Sequence, residues 1–488
     1  MFLGLLGCAA LLPAQSRLVD LNVVALDKEG NPVADLMQDE FRVTDSGKPQ
    51  EVAFFRSQDR GQRRTPPLQP GETSNRTAAT IPHATVILFD LMNEDFSSRG
   101  VATNELVRDL ESLENADYVY LYLLTLDGRL APVRALPAQS GDVPRPSAEP
   151  WTRQIKPLLD QAMRAVLQVR REDIDIAIRV QLTYRALEAL AADLSRVPGR
   201  KNVVWITDGV PIELGPVRSD TGDFVDFTPM LRQLSEALDQ SSVAIYPVRE
   251  IMLGSPDTVE GGRSGIGSIE TLDEFAGLTG GRSGGVKDIA GAIRQAIADA
   301  RRSYQIGYYP PEKNWDNKMH KLRVTCTRKG VRLQSKTEYY AWREPPGVRA
   351  TEAIRTAAET SLDAAEIGLW GKVERGPAGE PMGHLQAHVD ARDLVFVRQD
   401  AGYGAQLRLA ILVSAPGAPP EVSPAIPMDL HFSAAERDRA LQNGVAIDQD
   451  VPLAAATNTA RLIVFDRNSN TVGSLTMPVP AAAPKPAR

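Results

Sequence analysis

Two carboxylates stand at the ends of apolar segments, where α/β proteins often bind their ligands. Residues 86–95 read VILFDLMNED, so four apolar residues lead into Asp90. VVWITDG at 203–209 leads into Asp208 in the same way. Parallel strands end at a common edge of their sheet, and open α/β sheets bind ligands outside that carboxyl edge. The pattern therefore predicts that Asp90 and Asp208 lie close together at one sheet edge.

Oxygen donors around these two aspartates are the ligand type that a hard divalent cation prefers. Glu94 adds a third carboxylate to the same loop as Asp90. Further oxygen donors are Asn93, Asp95 and Thr183. These residues predict a weak site for Mg²⁺, Mn²⁺ or Ca²⁺. A second hypothesis stays open, in which no cation binds and the two aspartates cap neighbouring loops and helix N-termini.

Two short sequence patterns are similar to motifs of catalytic sites. GRSGG at 281–285 fits G-x-S-x-G, but a nucleophile elbow needs a strand before the serine, and a helical segment precedes it here. His384 and His388 in HLQAH have the spacing of a zinc-binding helix, yet no glutamate lies between them and the flanking sequence predicts a strand. No set of nucleophile, base and oxyanion donors can be assembled. We therefore expect a non-enzymatic protein, with a secreted hydrolase of unknown substrate as the alternative.

The composition limits the classes of partner. The chain has 488 residues, of which 43% are hydrophobic and 24% charged, which is ordinary for a globular protein of two to four domains. Its formal net charge is -7. A phosphate backbone requires a basic surface, so nucleic acid is excluded as the main partner. Another protein, of unknown identity, is the predicted partner.

The N-terminal segment predicts export. Residues 1–16 read MFLGLLGCAALLPAQS, which is apolar, too short to span a bilayer and similar to the central part of a secretory signal. A second interpretation is a lipoprotein signal that ends on Cys8, which would leave a lipid anchor on the mature protein. No other segment has the length and apolarity of a transmembrane span. The protein is expected in the periplasm or outside the cell.

Changes in composition along the chain predict several domains. Residues 18–56 and 303–343 have strand and hairpin patterns, whereas apolar strands alternate with helices between them. Polar stretches rich in Pro, Gly, Ser and Thr predict linkers. The predicted organisation is a signal peptide at 1–16, a split β-sandwich from 17–58 with 303–343, a linker at 59–83, an α/β domain at 84–302, a second linker at 344–364, a β domain at 365–478 and a disordered tail at 479–488.

The α/β stretch resembles a von Willebrand factor A domain, and the whole chain resembles the von Willebrand factor A-related proteins of bacteria, above all acidobacteria. The segments that carry this resemblance are VALDKEGNPVADLMQDEFRVTDSGKPQ at 24–50, PGRKNVVWITDG at 198–209, YQIGYYPP at 304–311 and FDRNSNTVGSL at 465–475. The resemblance implies a Rossmann-like α/β domain of the von Willebrand factor A type inserted in a β-sandwich, followed by an all-β, Ig-like domain.

The resemblance also implies a mode of binding. Ligand-binding A domains use a metal-ion-dependent adhesion site with the pattern Asp-x-Ser-x-Ser, a threonine and a second aspartate. Asp90 and Asp208 match the aspartates, but Met92 and Glu94 replace the serines and Thr183 is the nearest threonine. A thioether is a poor ligand for a hard cation. The implied function is an adhesion or scaffold module with a degenerate metal site; a structural protein of the envelope without a discrete ligand site is a further alternative.

Overall fold

A computed structural model describes residues 18–59, 67–76, 83–93, 110, 118–136, 157, 174–207, 216–218, 222, 224–248, 266–282, 289–343, 348–360, 362–377, 380–399 and 402–481. The strands are β1 (Val19–Leu26), β2 (Phe41–Asp45), β3 (Lys48–Gln50), β4 (Phe54–Asp59), β5 (Thr73–Ser74), β6 (Thr85–Asp90), β7 (Val119–Leu124), β8 (Leu130–Arg134), β9 (Lys201–Ile206), β10 (Pro216–Arg218), β11 (Phe224–Asp226), β12 (Val243–Val248), β13 (Arg302–Tyr308), β14 (Met319–Cys326), β15 (Arg332–Gln334), β16 (Glu338–Tyr340), β17 (Leu369–Arg375), β18 (Met382–Val389), β19 (Val397–Gln399), β20 (Gly402–Ser414), β21 (Glu421–Val422), β22 (Ile426–Phe432), β23 (Val445–Pro452), β24 (Thr459–Asp466) and β25 (Thr471–Pro478). The helices in these ranges are α1 (Ile176–Leu194), α2 (Thr228–Gln240), α3 (Ile266–Thr279), α4 (Ile289–Arg301), α5 (Val348–Glu359) and α6 (Ala434–Asn443).

Strands from both flanks of the α/β stretch form two small antiparallel sheets. One sheet has the order β15-β1-β13-β4 and the other β16-β14-β2-β3. Every second residue of β1 points inward, so Leu21 and Val23 pack in the same core as Phe41 and Tyr304. Strand β1 pairs with β13 over Val19–Val23 and with β15 further along, so segments about 280 residues apart in sequence share one sheet.

The segment between these flanks contains a mixed five-stranded sheet of order β12-β9-β6-β7-β8. Strands β12, β9, β6 and β7 pair in parallel, and β8 is antiparallel to β7. All residues of the four parallel strands are buried because apolar side chains cover both faces. Helices α1, α2 and α3 contribute to the core on one face, and α4 contributes to the core on the other.

The C-terminal part consists of two antiparallel sheets that enclose one apolar core. One has the order β23-β18-β17-β5, and the other runs β19-β20-β24-β25 with β21 and β22 also on β20. Strand β5 comes from residues that the sequence predicts as a linker, and it pairs with Trp370 and Gly371 of β17. This short strand, which lies in sequence between the first sheets and the mixed sheet, is therefore held against the C-terminal part.

The predicted fold class is wrong for this chain. Among the described residues, strands account for 42% and helices for 25%, and most sheets are small and antiparallel. Parallel pairing is confined to four strands, which is too little to define a Rossmann-like domain of the von Willebrand factor A type in the described residues. The long apolar segments of residues 84–302 dominate the sequence pattern, whereas the many short antiparallel strands give weak signals.

Within the described ranges, no helix combines the length and the apolarity that a membrane crossing requires.

Candidate functional site

Asp90 is the last residue of β6 and its side chain is fully buried. Its Oδ1 accepts hydrogen bonds from the backbone N–H groups of Met92 and Asn93, at 3.1 and 3.0 Å. Its Oδ2 accepts from Asn93 Nδ2 at 2.8 Å, from Trp205 Nε1 at 3.0 Å and from Thr207 Oγ1 at 2.9 Å. Five protein donors therefore converge on one carboxylate.

This arrangement does not fit a cation ligand. A carboxylate has about four acceptor positions, and five donors already occupy those of Asp90. Burial raises the pKa of Asp90, while hydrogen bonds from Asn93, Thr207 and Trp205 act in the opposite direction. Burial is the largest of these effects on the pKa of Asp90. Asp90 holds the loop after β6 against β9, and a metal would have to displace these donors.

Two other predicted site residues join Asp90. Asn93 donates to Thr183 Oγ1 at 2.8 Å, and Arg179 of α1 approaches Asn93 Oδ1 at 3.4 Å. Thr183 Oγ1 lies 3.9 Å from the sulfur of Met92, so the thioether belongs to the same buried cluster. A guanidinium thus lies beside the loop where the sequence predicts a cation.

The remaining predicted ligands, Glu94, Asp95 and Asp208, lie outside the described residues. Sequence reasoning missed Trp205 and Thr207 as partners of Asp90. They occupy alternate positions of VVWITDG, which places both side chains on one face of β9. Both side chains are hydrogen-bond donors, and the neighbouring strand β6 ends on Asp90. This combination is the sequence signal that could have identified them.

Replacing Thr207 by valine removes one donor from the Asp90 carboxylate and preserves the shape of the side chain. We expect the free energy of unfolding to fall by about 2 kcal/mol, the range for a hydrogen bond to a charged group. Urea unfolding measures this change. Thr325→Val, at an exposed position of β14, is the matched control and should change it by less than about 0.5 kcal/mol. Equal effects of the two substitutions would contradict the proposed role of Thr207.

A second polar cluster surrounds Asp45, at the end of β2. Asp45 Oδ1 contacts His320 Nδ1 at 2.8 Å, and its Oδ2 accepts from the hydroxyls of Tyr308 and Tyr339, each at 3.0 Å. The other ring nitrogen of His320 lies 3.2 Å from Asp316 Oδ1. Both ring nitrogens of His320 therefore face carboxylates. The cluster links strands of the two N-terminal sheets.

A third cluster joins the mixed sheet to its neighbours through Arg200 and Lys201, both fully buried. Arg200 donates to Tyr246 Oη at 3.0 Å and to the carbonyl of Gly280 at 2.7 Å. Lys201 donates to the carbonyl of Val197 and forms an ion pair with Glu366 of the C-terminal part. Tyr246, Gly280 and Glu366 are remote from PGRK in sequence, so no local pattern indicates these contacts.

No cluster of three or more His, Cys, Asp or Glu side chains is placed to hold a metal ion in the part of the chain that the structure describes.

Comparison with known proteins yields little. No protein-family model and no curated protein matches the chain. Among solved structures, the PilB minor pilin from Streptococcus sanguinis matches with 10% identity and a TM-score of 0.24, and a point mutant of it matches with 11% identity and a TM-score of 0.23. Each match covers 45% of this chain and 60% of the pilin. At these TM-scores the likeness carries no argument about fold or function.

Proposed function

We propose that this chain is an exported, non-enzymatic protein-binding module that contacts its partner at the carboxyl edge of the mixed sheet without a metal ion. The observation that carries this proposal is the saturation of Asp90 by five protein donors. Such a carboxylate acts as a rigid anchor for the chain leaving β6. Rigid scaffolds that present connecting segments at one edge are a common basis of recognition.

Two exposed apolar side chains support the proposal that the partner binds at this edge. Ile178 is 49% exposed in the first turn of α1, next to Arg179, which contacts Asn93 after β6. Phe224 is 73% exposed and lies four residues before α2. Only two residues separate the end of α2 from the start of β12, so α2 ends at the amino edge of the sheet. The first residue of α2 therefore lies toward the opposite, carboxyl edge. Exposed aromatic and aliphatic side chains of this kind serve as anchors in protein interfaces.

Site-specific photocrosslinking tests the proposal. A photoreactive phenylalanine analogue is placed at Ile178, at Phe224 or at Val422, which is 54% exposed in the C-terminal part and serves as the control. We expect discrete protein adducts from the two edge positions in intact cells of the producing organism. We expect no such adducts from the control position. The adducts should persist when EDTA is present during irradiation.

Each alternative function gives a different result. Adducts that disappear in EDTA would contradict metal-independent binding. Equal labelling from Val422 and the two edge positions would favour a structural envelope protein without a discrete ligand site. Phe224→Ser in the variant carrying the photoreactive residue at Ile178 should reduce the adduct several-fold, because it removes the larger apolar anchor of the same interface.

A further inference from the structure

The outer face of β1 meets the mixed sheet across a polar junction. Asp20 and Asn22 stand two residues apart on β1, so both side chains point to the face opposite the apolar core. They line a cavity of about 70 Å³ whose other walls include Leu238 and Asp239 of α2 and Thr279 of α3. This volume is large enough for water molecules.

Two acceptor oxygens in this junction receive no hydrogen bond from the residues that the structure describes. Asp20 Oδ2 accepts from Gln305 Nε2 at 2.7 Å. Asp20 Oδ1 and Asn22 Oδ1 are buried atoms, and no protein group in the described ranges donates to either. Asp20 as a residue is half-buried, but its Oδ1 is inaccessible to solvent. A buried acceptor without a donor costs free energy. The hydrogen bonding of the junction is therefore incomplete when Asp20 is ionised.

One proton corrects this imbalance. A protonated Asp20 turns from acceptor to donor, and Asn22 Oδ1 is an acceptor in need of a donor on the same face of the strand. A protonated Asp20 can donate toward Asn22 Oδ1 or toward a water molecule in the cavity. The added proton removes a buried negative charge and forms a hydrogen bond in the same step.

Several charged groups surround Asp20, and Arg200, Glu236 and Arg349 line the same cavity. Arg56 of β4 and Lys336 after β15 favour its ionised form, whereas Asp239 of α2 disfavours it. Lys336 is itself paired with Asp239. Burial is the largest effect, and it raises the pKa of Asp20 from 3.8 to about 6.

We propose that the junction between β1 and the mixed sheet is a proton-binding site, in which protonation of Asp20 tightens the contact between the two sheets. Because the folded state binds this proton more strongly than the unfolded state, the proton stabilises the fold. That stabilisation is complete below about pH 4 and is lost as the pH rises through about 6. Mild acidity therefore strengthens the packing between the sheets.

The test compares the full chain with Asp20→Asn, whose amide is neutral at all pH values, between pH 4.5 and 7.5. We expect the variant to melt several degrees higher than the wild type at pH 7.5 and at nearly the same temperature at pH 4.5. Asp35→Asn, at a carboxylate whose side chain is 77% exposed on the same β unit, is the control and should follow the wild-type pH profile. Asn22→Ala should move the midpoint of the wild-type transition to lower pH, because it removes the acceptor for the proton.

Amide exchange locates the effect. After correction for intrinsic rates, β1 and α2 of the wild type should exchange several-fold more slowly at pH 5 than at pH 7.5, while β18 should not change. In Asp20→Asn both segments should be slow at both pH values. The proposal is overturned if Asp20→Asn keeps the wild-type pH dependence in melting, or if protection changes equally in β18.

Discussion

Lys201→Met should lower the free energy of unfolding by about 3–5 kcal/mol, the range for breaking a buried ion pair on one side. The Lys201 side chain is fully buried and that of Glu366 is 8% exposed. Methionine fills a similar volume but leaves the Glu366 carboxylate in the interior, where, among the described residues, only the N–H of Gly199 still donates to it, at 2.9 Å. The measurement is urea unfolding followed by circular dichroism.

The position of this ion pair explains why its loss should spread beyond one side chain. The N–H of Ala365 donates to the carbonyl of Ser195, beside the Glu366 contacts with the segment before β9. Arg76, which follows β5, binds the carbonyls of Ala365 and Glu366. The mixed sheet, the C-terminal part and the segment with β5 thus meet at residues 365–366, and an unpaired Glu366 disturbs all three.

Two controls separate burial from charge. Lys372 and Glu374 form an ion pair whose side chains are 26% and 58% exposed, so Lys372→Met should cost less than about 1 kcal/mol. The double substitution Lys201→Met with Glu366→Leu removes both charges and should recover most of the lost stability, because an apolar pair has no desolvation penalty. A Lys201→Met effect as small as that of Lys372→Met would show that this pair does not hold the junction.

The sequence predicts strand ends well and long-range partners poorly. VILFDL and NVVWIT form the neighbouring buried strands β6 and β9, because continuous apolar runs require cover on both faces. Asp90, Asn93 and Thr183 come together in the structure, whereas Asp208, which the common edge predicts beside Asp90, lies outside the described residues. The donor set that decides the chemistry of Asp90 is not evident from residue type alone, because Met92 and Asn93 contribute backbone N–H groups to it.

Other features depend on partners that are remote in sequence. Lys201 and Glu366 are separated by 165 residues, so no local pattern connects them. Strand β5 has only two residues within a segment rich in polar residues, Pro and Gly, and its composition indicates a linker. Arg76, directly after this segment, forms an ion pair with Asp393 of the C-terminal part, with Nη1 2.6 Å from Oδ2. A single arginine in such a segment gives no sequence signal for a buried ion pair.

Gly281→Ala should destabilise the mixed sheet by about 3 kcal/mol or more, because no side chain fits at this position. A Cβ on Gly281 would lie 1.7 Å from the carbonyl oxygen of Ile245 in β12, which is an edge strand of the mixed sheet. Nearby, Thr279 Oγ1 accepts from the N–H of Ile245 at 2.9 Å, so the turn after α3 substitutes for a missing neighbouring strand. The first glycine of GRSGG is therefore explained by packing, without a nucleophile elbow.

Thermal melting and amide exchange at Ile245 measure the effect of Gly281→Ala. The turn must move away from β12 to relieve the overlap, so the Ile245 amide should lose most of its protection while β18 keeps its own. Gly417→Ala is the control: Gly417 has a φ of +77° and no atom within 4 Å of an added Cβ, so only a backbone cost of about 1–2 kcal/mol is expected. A Gly281→Ala variant that melts like the wild type, with Ile245 still protected, would show that the edge of β12 has room for a side chain.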